Sequence, residues 1–173
     1  RAVMALSGGM DSTSLLLRLL KEDYEVTCIS YQYGQKHSIE IQKATENIKR
    51  LESNGLKLHH KIIDLSSAMG SFHSALTNDN FDVPEGHYEE EQMKQTVVPN
   101  RNAIFASILY GYALSIATKT DQSVKIGLGV HSGDHEIYPD CRPEFYEALE
   151  HGFQVGNWDS DKVSFYLPYL KGD

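Results

Sequence analysis

The chain is poor in cysteine, in net positive charge and in long apolar runs, and each shortage closes off a class of protein. Its two cysteines, Cys28 inside an apolar run and Cys141 between Asp140 and Arg142, make neither a Cys-x-x-Cys pair nor a disulfide framework. A reducing, cytoplasmic setting is the expectation from that usage. Lysine and arginine total 16 against 24 aspartates and glutamates, a formal net charge of -8. A broad nucleic-acid surface needs a basic face to neutralise phosphates, so the expected partner is a small molecule held in a local cationic pocket. No stretch approaches the roughly 18 uninterrupted apolar residues of a membrane span, and the opening run Ala2–Leu6 is too short for the core of a signal peptide. Internal repeats and low-complexity tracts are absent too. What remains is a soluble protein of 173 residues, one α/β domain's worth, large enough for a continuous core and free to form a homodimer. The chain opens at Arg1 within a strand-like run and stops at Asp173 where a further helix is about to begin, so its ends read as trimmed.

What is present is concentrated first in Ser7-Gly8-Gly9-Met10-Asp11-Ser12, between Ala2–Leu6 and the helix-like Thr13-Ser14-Leu15-Leu16-Leu17-Arg18-Leu19-Leu20. Strand, glycine turn and helix in that order put free backbone N–H groups at the carboxyl end of a buried strand. The glycines let the backbone approach an anion, the hydroxyls of Ser7, Ser12 and Thr13 can donate, and the helix dipole favours negative charge. Such a turn holds phosphate. Asp11 is the odd member, and its carboxylate reads either as a Mg²⁺ ligand beside the phosphates or as a helix cap. The turn has no Walker A lysine and no Gly-x-Gly-x-x-Gly.

Beyond it, strands and helices alternate in the manner of a parallel sheet. Val26–Tyr31 is a second buried strand, Ser38 opens a helix that runs to a stop at Gly55, and Leu58–Leu65 is a third strand. Residues 66–96 lose the pattern and read as an excursion or lid, its Glu89-Glu90-Glu91 a solvated face. After Val97-Val98-Pro99-Asn100-Arg101-Asn102 comes a helix whose expected core face is Ile104, Phe105, Ile108, Leu109, Tyr112, Ala113 and Ile116. Val124–Val130 is a fourth strand, Pro143 opens a further helix, and Val163–Tyr166 is a fifth strand.

A ligand site on such a sheet lies at the carboxyl ends of the strands, where the first loop, Tyr31–His37, Val98–Asn102 and Gly129–Arg142 converge. Arg101 and Arg142 are the candidates for holding phosphate or a carboxylate, because a guanidinium is always charged and bonds two oxygens at once. Lys36 is a third. His131, Asp134, His135, Asp140 and Cys141 carry zinc-ligand chemistry, yet their spacings match no common zinc motif. Cys141 fills the pocket wall or, as the lesser alternative, acts as a nucleophile whose thiol pKa is depressed by neighbouring cations.

Ser-Gly-Gly-x-Asp-Ser resembles the PP-loop of the ATP pyrophosphatase superfamily, whose members split ATP between the α and β phosphates, usually to adenylate a substrate oxygen. With Tyr33-Gly34-Gln35-Lys36-His37, Val98-Pro99-Asn100-Arg101-Asn102 and Tyr138-Pro139-Asp140-Cys141-Arg142, the set resembles the QueC family of 7-cyano-7-deazaguanine synthases in order and spacing, across nearly the whole chain. The resemblance implies a Rossmann-like adenine-nucleotide alpha-hydrolase fold, α/β with a parallel sheet and helices on both faces, in a single nucleotide-binding domain over residues 1–173. It implies ATP-dependent conversion of 7-carboxy-7-deazaguanine and ammonia to 7-cyano-7-deazaguanine (preQ0). Nucleotide binding then falls to Leu6, Ser7, Gly8, Gly9, Met10, Asp11, Ser12, Thr13, Ser14, Tyr31, Lys36 and Gly129, with Asp11 helping to hold Mg²⁺. Asp11, Arg101, Asp140 and Arg142 are the expected catalytic residues, the last three on chemical grounds. The family's zinc-binding cysteines are expected beyond Asp173, so Zn²⁺ belongs to a full-length protein and no zinc ligands are assigned here. Lys36, Asn100 and Ile137 stand where relatives often have arginine, glycine and glycine. Two alternatives stay open: a PP-loop relative that adenylates a different deazapurine or joins it to another macromolecule, and a non-catalytic ATP-binding module.

Overall fold

The computed structural model describes residues 1–34, 39–72, 97–134 and 138–170. In chain order these form β1 (Ala2–Ala5), α1 (Met10–Lys21), β2 (Val26–Gln32), α2 (Ile39–Ser53), β3 (Leu58–Asp64) and a one-turn α3 (Ser66–Met69). They continue with α4 (Arg101–Thr120), β4 (Val124–Gly127), α5 (Pro143–Gly156) and β5 (Val163–Tyr166). The five strands form one sheet in the order β3-β2-β1-β4-β5, and every neighbouring pair is parallel. The chain therefore builds outward from β1 to β3, returns across β1, and builds outward again through β4 and β5. The point of return, between β1 and β4, is where an open α/β sheet leaves a crevice at the carboxyl ends of its strands.

Alternation along the strands sends side chains to two separate cores. Val3 of β1 with Ile29 and Tyr31 of β2 meets Leu109, Ala113 and Ala117 of α4 on one face. Ala2, Met4, Val26 and Cys28 meet Leu15, Leu16 and Leu19 of α1 and Ala44 and Ile48 of α2 on the other. Helices thus cover both faces, which is why the strands are apolar runs and not simple alternations. Cys28 lies fully inside the second core, and burial pushes its thiol up to about 12, leaving it chemically inert.

The fold departs from the sequence reading at three places that matter here. The fourth strand ends at Gly127, where its pairing with Tyr166 stops, because Leu128–Val130 turn out of the sheet toward the start of α1. The stretch after β3 opens with α3, entered through a turn in which Asp64 Oδ1 accepts the Ser66 N–H at 2.8 Å. The face of α4 that sinks deepest is Ala106, Leu109, Tyr110, Ala113 and Ala117, whereas Ile104, Phe105, Ile108, Tyr112 and Ile116 are half-buried on its flanks. Alanines let the helix axis approach the sheet, and the larger residues fill the shoulders. Everything expected of residues 73–96, including Glu89–Glu91, lies outside the described residues, as do Lys36, His135 and Ile137.

Asn100, just before α4, has φ 57 and ψ 16. That left-handed conformation suits glycine and is tolerated by asparagine, so the departure from the family pattern at this position has a backbone explanation. Among the described residues no helix is long and apolar enough to cross a membrane.

Candidate active site

A cleft of about 330 Å³ opens at the carboxyl ends of β1, β2 and β4, above the return point of the sheet. Its floor and walls come from segments far apart in sequence: the first loop, the end of β2, the start of α2, the start of α4, Leu128–Val130 and Cys141. The size matches an ordinary small-molecule pocket.

The first loop is shaped by one glycine and used through the other. Gly8 has φ +85, and a Cβ on it would lie 2.5 Å from the carbonyl oxygen of Glu40 and 3.0 Å from the Ala44 nitrogen. The turn is therefore pressed against α2, and no other residue fits there. Gly9 is the N-cap of α1 and faces the cleft. Ser7 Oγ accepts the Gly9 N–H at 3.2 Å and pairs with Ser12 Oγ at 3.0 Å, while Ser12 Oγ donates to Gly9 O at 3.2 Å. The first intrahelical bond runs from the Thr13 N–H to Gly9 O, which leaves the N–H groups of Met10, Asp11 and Ser12 without an intrahelical acceptor. They sit at the positive end of α1, beside the cleft, where an anion is favoured. Gly129 lets that end seat closely: a Cβ there would lie 3.1 Å from the Ser12 nitrogen.

Asp11 lines the cleft, is exposed, and caps nothing: α1 has no side-chain cap, and nothing among the described residues hydrogen-bonds the Asp11 carboxylate. Of the two roles the sequence offers it, capping is not realised. An open carboxylate beside an anion nest fits Mg²⁺, which keeps several waters and takes one or two carboxylates with substrate phosphates. Among the described residues no group of three or more His, Cys, Asp or Glu side chains could hold a metal ion by itself.

Across the cleft stands Arg101, first residue of α4 and half-buried. Its Nη1 donates to Tyr33 Oη at 3.5 Å, and among the described residues no carboxylate lies within ion-pair distance. A half-buried guanidinium at the positive end of a helix, with no acidic partner among the described residues, favours an anion beside it. Tyr31 and Phe105 stack beside it with centroids 3.9 Å apart and planes at 9°, and Tyr33 meets Phe105 edge-on at 5.5 Å.

Of the other sequence candidates, Leu6, Ser7, Met10, Ser12, Tyr31 and Gly129 line the cleft, whereas Gly8, Thr13, Ser14, Asp140 and Arg142 do not. Ser14 has turned away: its Oγ pairs with Tyr169 Oη at 2.9 Å. Asp140 and Cys141 belong to a short 3-10 turn (Pro139–Cys141) that delivers the buried Cys141 into the wall, and Arg142 caps α5 from the exposed side. His131 is exposed and accepts the Gly133 N–H on Nδ1 at 3.0 Å. Sequence reasoning did not single out Phe105 as a site residue, because an aromatic at helical spacing reads as core. It also passed over Ser30.

Ser30 is buried, lines the cleft, and its hydroxyl donates to Leu6 O at 2.6 Å. Its single proton being used, the His60 Nε2 at 2.9 Å must be the donor to Ser30, so His60 carries its proton on Nε2. Burial pushes the His60 pKa below the usual 6.5, with Glu52 opposing. Below that usual value the unfolded chain takes up the proton first, so folding stability drops as pH falls through the mildly acidic range. A His60→Gln variant keeps a donor and loses the titration: its melting temperature should fall less than the wild type's between neutral and mildly acidic pH. Parallel melting curves for the two proteins would remove His60 from the account.

Parallel α/β architecture, an anion-favouring helix start and a facing arginine define the class, a nucleotide-binding α/β protein. The fold is similar to that of a predicted subunit of tRNA methyltransferase from Methanocaldococcus jannaschii, with TM-score 0.55 and 18% identity over 97% of this chain and 67% of that one. That likeness concerns the fold alone. The family model for queuosine biosynthesis protein QueC matches residues 1–172, and the chain belongs to that family. It is 45% identical over 170 residues to the 7-cyano-7-deazaguanine synthase of Caldicellulosiruptor saccharolyticus, covering 98% of this chain and 70% of that protein. It is 44% identical over 176 residues to the enzyme of the same name from Methanoregula boonei, covering 100% of this chain and 76% of that protein.

Proposed function

We propose that the protein is an ATP-dependent ligase that converts 7-carboxy-7-deazaguanine and ammonia to 7-cyano-7-deazaguanine. Its family and its synthase relatives support that reading over adenylation of a different deazapurine. The observation that carries the mechanism is the meeting, in one cleft, of the phosphate-favouring start of α1 and Arg101, which has no carboxylate partner among the described residues. The chain acts as a single nucleotide-binding unit in a cytoplasmic setting, in keeping with its two buried cysteines, which form no disulfide with each other.

A carboxylate is a poor acyl donor. Attack of its oxygen on the α-phosphorus of ATP forms an acyl adenylate and expels pyrophosphate. Ammonia adds to the carbonyl carbon, AMP leaves, and a carboxamide with one fewer carboxyl oxygen remains. A second ATP adenylates the amide oxygen and expels pyrophosphate; loss of both protons from nitrogen and departure of AMP leave the nitrile. Two ATP are consumed for each nitrile.

In this reading the N–H groups of Met10, Asp11 and Ser12 bind the phosphates and hold the α-phosphorus facing the acid, with Ser7 and Ser12 locking the loop's shape. Asp11 would hold Mg²⁺, which neutralises phosphate charge when bound. Arg101 binds the carboxylate and stabilises charge as it moves toward the phosphorus, where a preorganised cation counts most. Asp140 and Arg142 act from just behind the cleft wall at Cys141, and Lys36 is a further cation for the phosphates. Zn²⁺, if the protein carries it, belongs to residues outside those described.

Asp11→Ala should lower AMP formation by at least about 10²-fold, the scale of losing one preorganised charge contact. Its stability should stay within about 0.5 kcal/mol of wild type, because the side chain is exposed and unpaired. Incubation with ATP, ammonia and the acid, followed by quantification of AMP, pyrophosphate and nitrile, checks both the variant and the activity. ATP binding with no product from the wild-type protein would favour a non-catalytic nucleotide-binding module.

A further inference from the structure

The sheet divides the cleft into two halves. On the face of α1 and α2 stand Gly9, Asp11, Ser12, Ser30 and Ile41; on the face of α4 stand Tyr31, Tyr33, Arg101, Asn102 and Phe105. The division follows from alternation in β2, which sends Ser30 one way and Tyr31 the other. Each half has its own helix start facing the opening, α1 with backbone N–H groups beside the Asp11 carboxylate and α4 with a guanidinium added.

We propose that the cleft holds two ligands side by side, the nucleotide on the α1 side and a flat fused-ring acid on the α4 side, its ring against Phe105 and its carboxylate on Arg101. The proposal rests on the adenylation reading for why an acid and a nucleotide should meet. Phe105 is a fixed wall. Its ring is backed by Tyr31 at 3.9 Å, Tyr31 Oη is tied to the Phe105 carbonyl at 3.1 Å, and Tyr33 braces its edge. Tyr31 and Tyr33 are only 6% and 9% exposed, so they serve as support, while the half-buried Phe105 keeps ring surface toward the cleft. A rigid aromatic face suits a planar heterocycle.

Arg101 and Phe105 are four residues apart on α4, which puts them on one helix face with Cβ atoms about 5–6 Å apart. That spacing matches a carboxylate bonded directly to a fused ring, with the ring on Phe105 and the acid group on Arg101. Asn102, also in the wall, offers a donor and an acceptor to the ring's polar edge. Tyr33 is a positioning residue, since its hydroxyl receives the Arg101 Nη1.

The test is calorimetry on the whole protein with two probes, ATP alone and 7-carboxy-7-deazaguanine in the presence of a non-cleavable ATP analogue. Phe105→Leu keeps apolar volume and loses the ring face; Tyr33→Phe keeps the ring and loses only the hydroxyl. Phe105→Leu should weaken the acid about tenfold, the scale of one base–aromatic stack. Tyr33→Phe should weaken the acid in the same direction by less, and ATP binding should change by less than about twofold in both, well within what a lost stack would cause. A merely structural role would lower the melting temperature and leave the acid's affinity alone. Unchanged acid binding in Phe105→Leu, weakened ATP binding with normal acid binding, or no acid binding by the wild type each overturns the proposal. Acid that binds as stated while the wild type releases no AMP sinks the adenylation reading and leaves the two-seat cleft standing.

Discussion

Arg101→Ala lowers acid-dependent AMP release by about 10³-fold, the upper end of what removal of one preorganised charge donor costs. Three observations set that size. The guanidinium stands on the first residue of α4, where the helix dipole adds to its own charge. It is half-buried, so water screens it poorly, and among the described residues no carboxylate neutralises it. It also lines the same cleft as Gly9 and Asp11, where the proposed reaction moves charge from acid to phosphorus. The loss should appear in turnover and in the acid's KM, with ATP affinity nearly unchanged, because the proposed phosphate site is the start of α1 and not Arg101. Arg101→Lys restores charge without the planar fork and should recover only part of the rate. Steady-state kinetics with each substrate varied separately checks the split, and an Arg101→Ala protein with near-normal turnover removes Arg101 from the mechanism.

Gly8→Ala unfolds or reshapes the loop, with a stability loss of about 3 kcal/mol. About 1–2 kcal/mol comes from placing an L residue at φ +85, and a similar amount from the clash of its methyl with the Glu40 carbonyl, which is backbone and cannot rotate away. For a chain of 173 residues that corresponds to a drop in melting temperature of about 10 °C. ATP affinity should fall with it, since moving Gly8 away from α2 displaces the Ser7 and Gly9 groups that shape the anion site. Gly9→Ala is the informative contrast. Gly9 is an extended N-cap, and its nearest contact for an added Cβ is the Ser7 hydroxyl at 3.3 Å, so the protein should stay folded while the methyl stands at the cleft. Thermal melts and nucleotide titrations on the pair separate the architectural glycine from the binding one.

Two neighbouring glycines looked alike in the sequence and have different tasks, which marks the limit of what was legible there. The alternation of apolar strands with periodic helices carried the parallel sheet, because strands covered on both faces must be apolar throughout. The glycine turn and Arg101 were legible because backbone N–H groups and an arginine at a helix start have few other uses at a strand's exit. The pairing of Ser14 with Tyr169 was not legible, because Tyr169 lies at the far end of the chain and no local pattern announces it. Phe105 was read as core, and it does pack against the core; because core and pocket aromatics share the same helical spacing, only the fold reveals that it also lines the cleft. The end of β4 was placed too late because Leu128–Val130 keep strand-like composition while the approach of α1 at Gly129 draws them off the sheet.

The central claim is that the acid's own oxygen attacks the α-phosphorus of ATP held at the start of α1. Substrate carrying ¹⁸O in both carboxyl oxygens tests it directly. The account predicts that each AMP released carries one ¹⁸O and that two such AMP form per nitrile. Unlabelled AMP, or ADP and phosphate in its place, would contradict it.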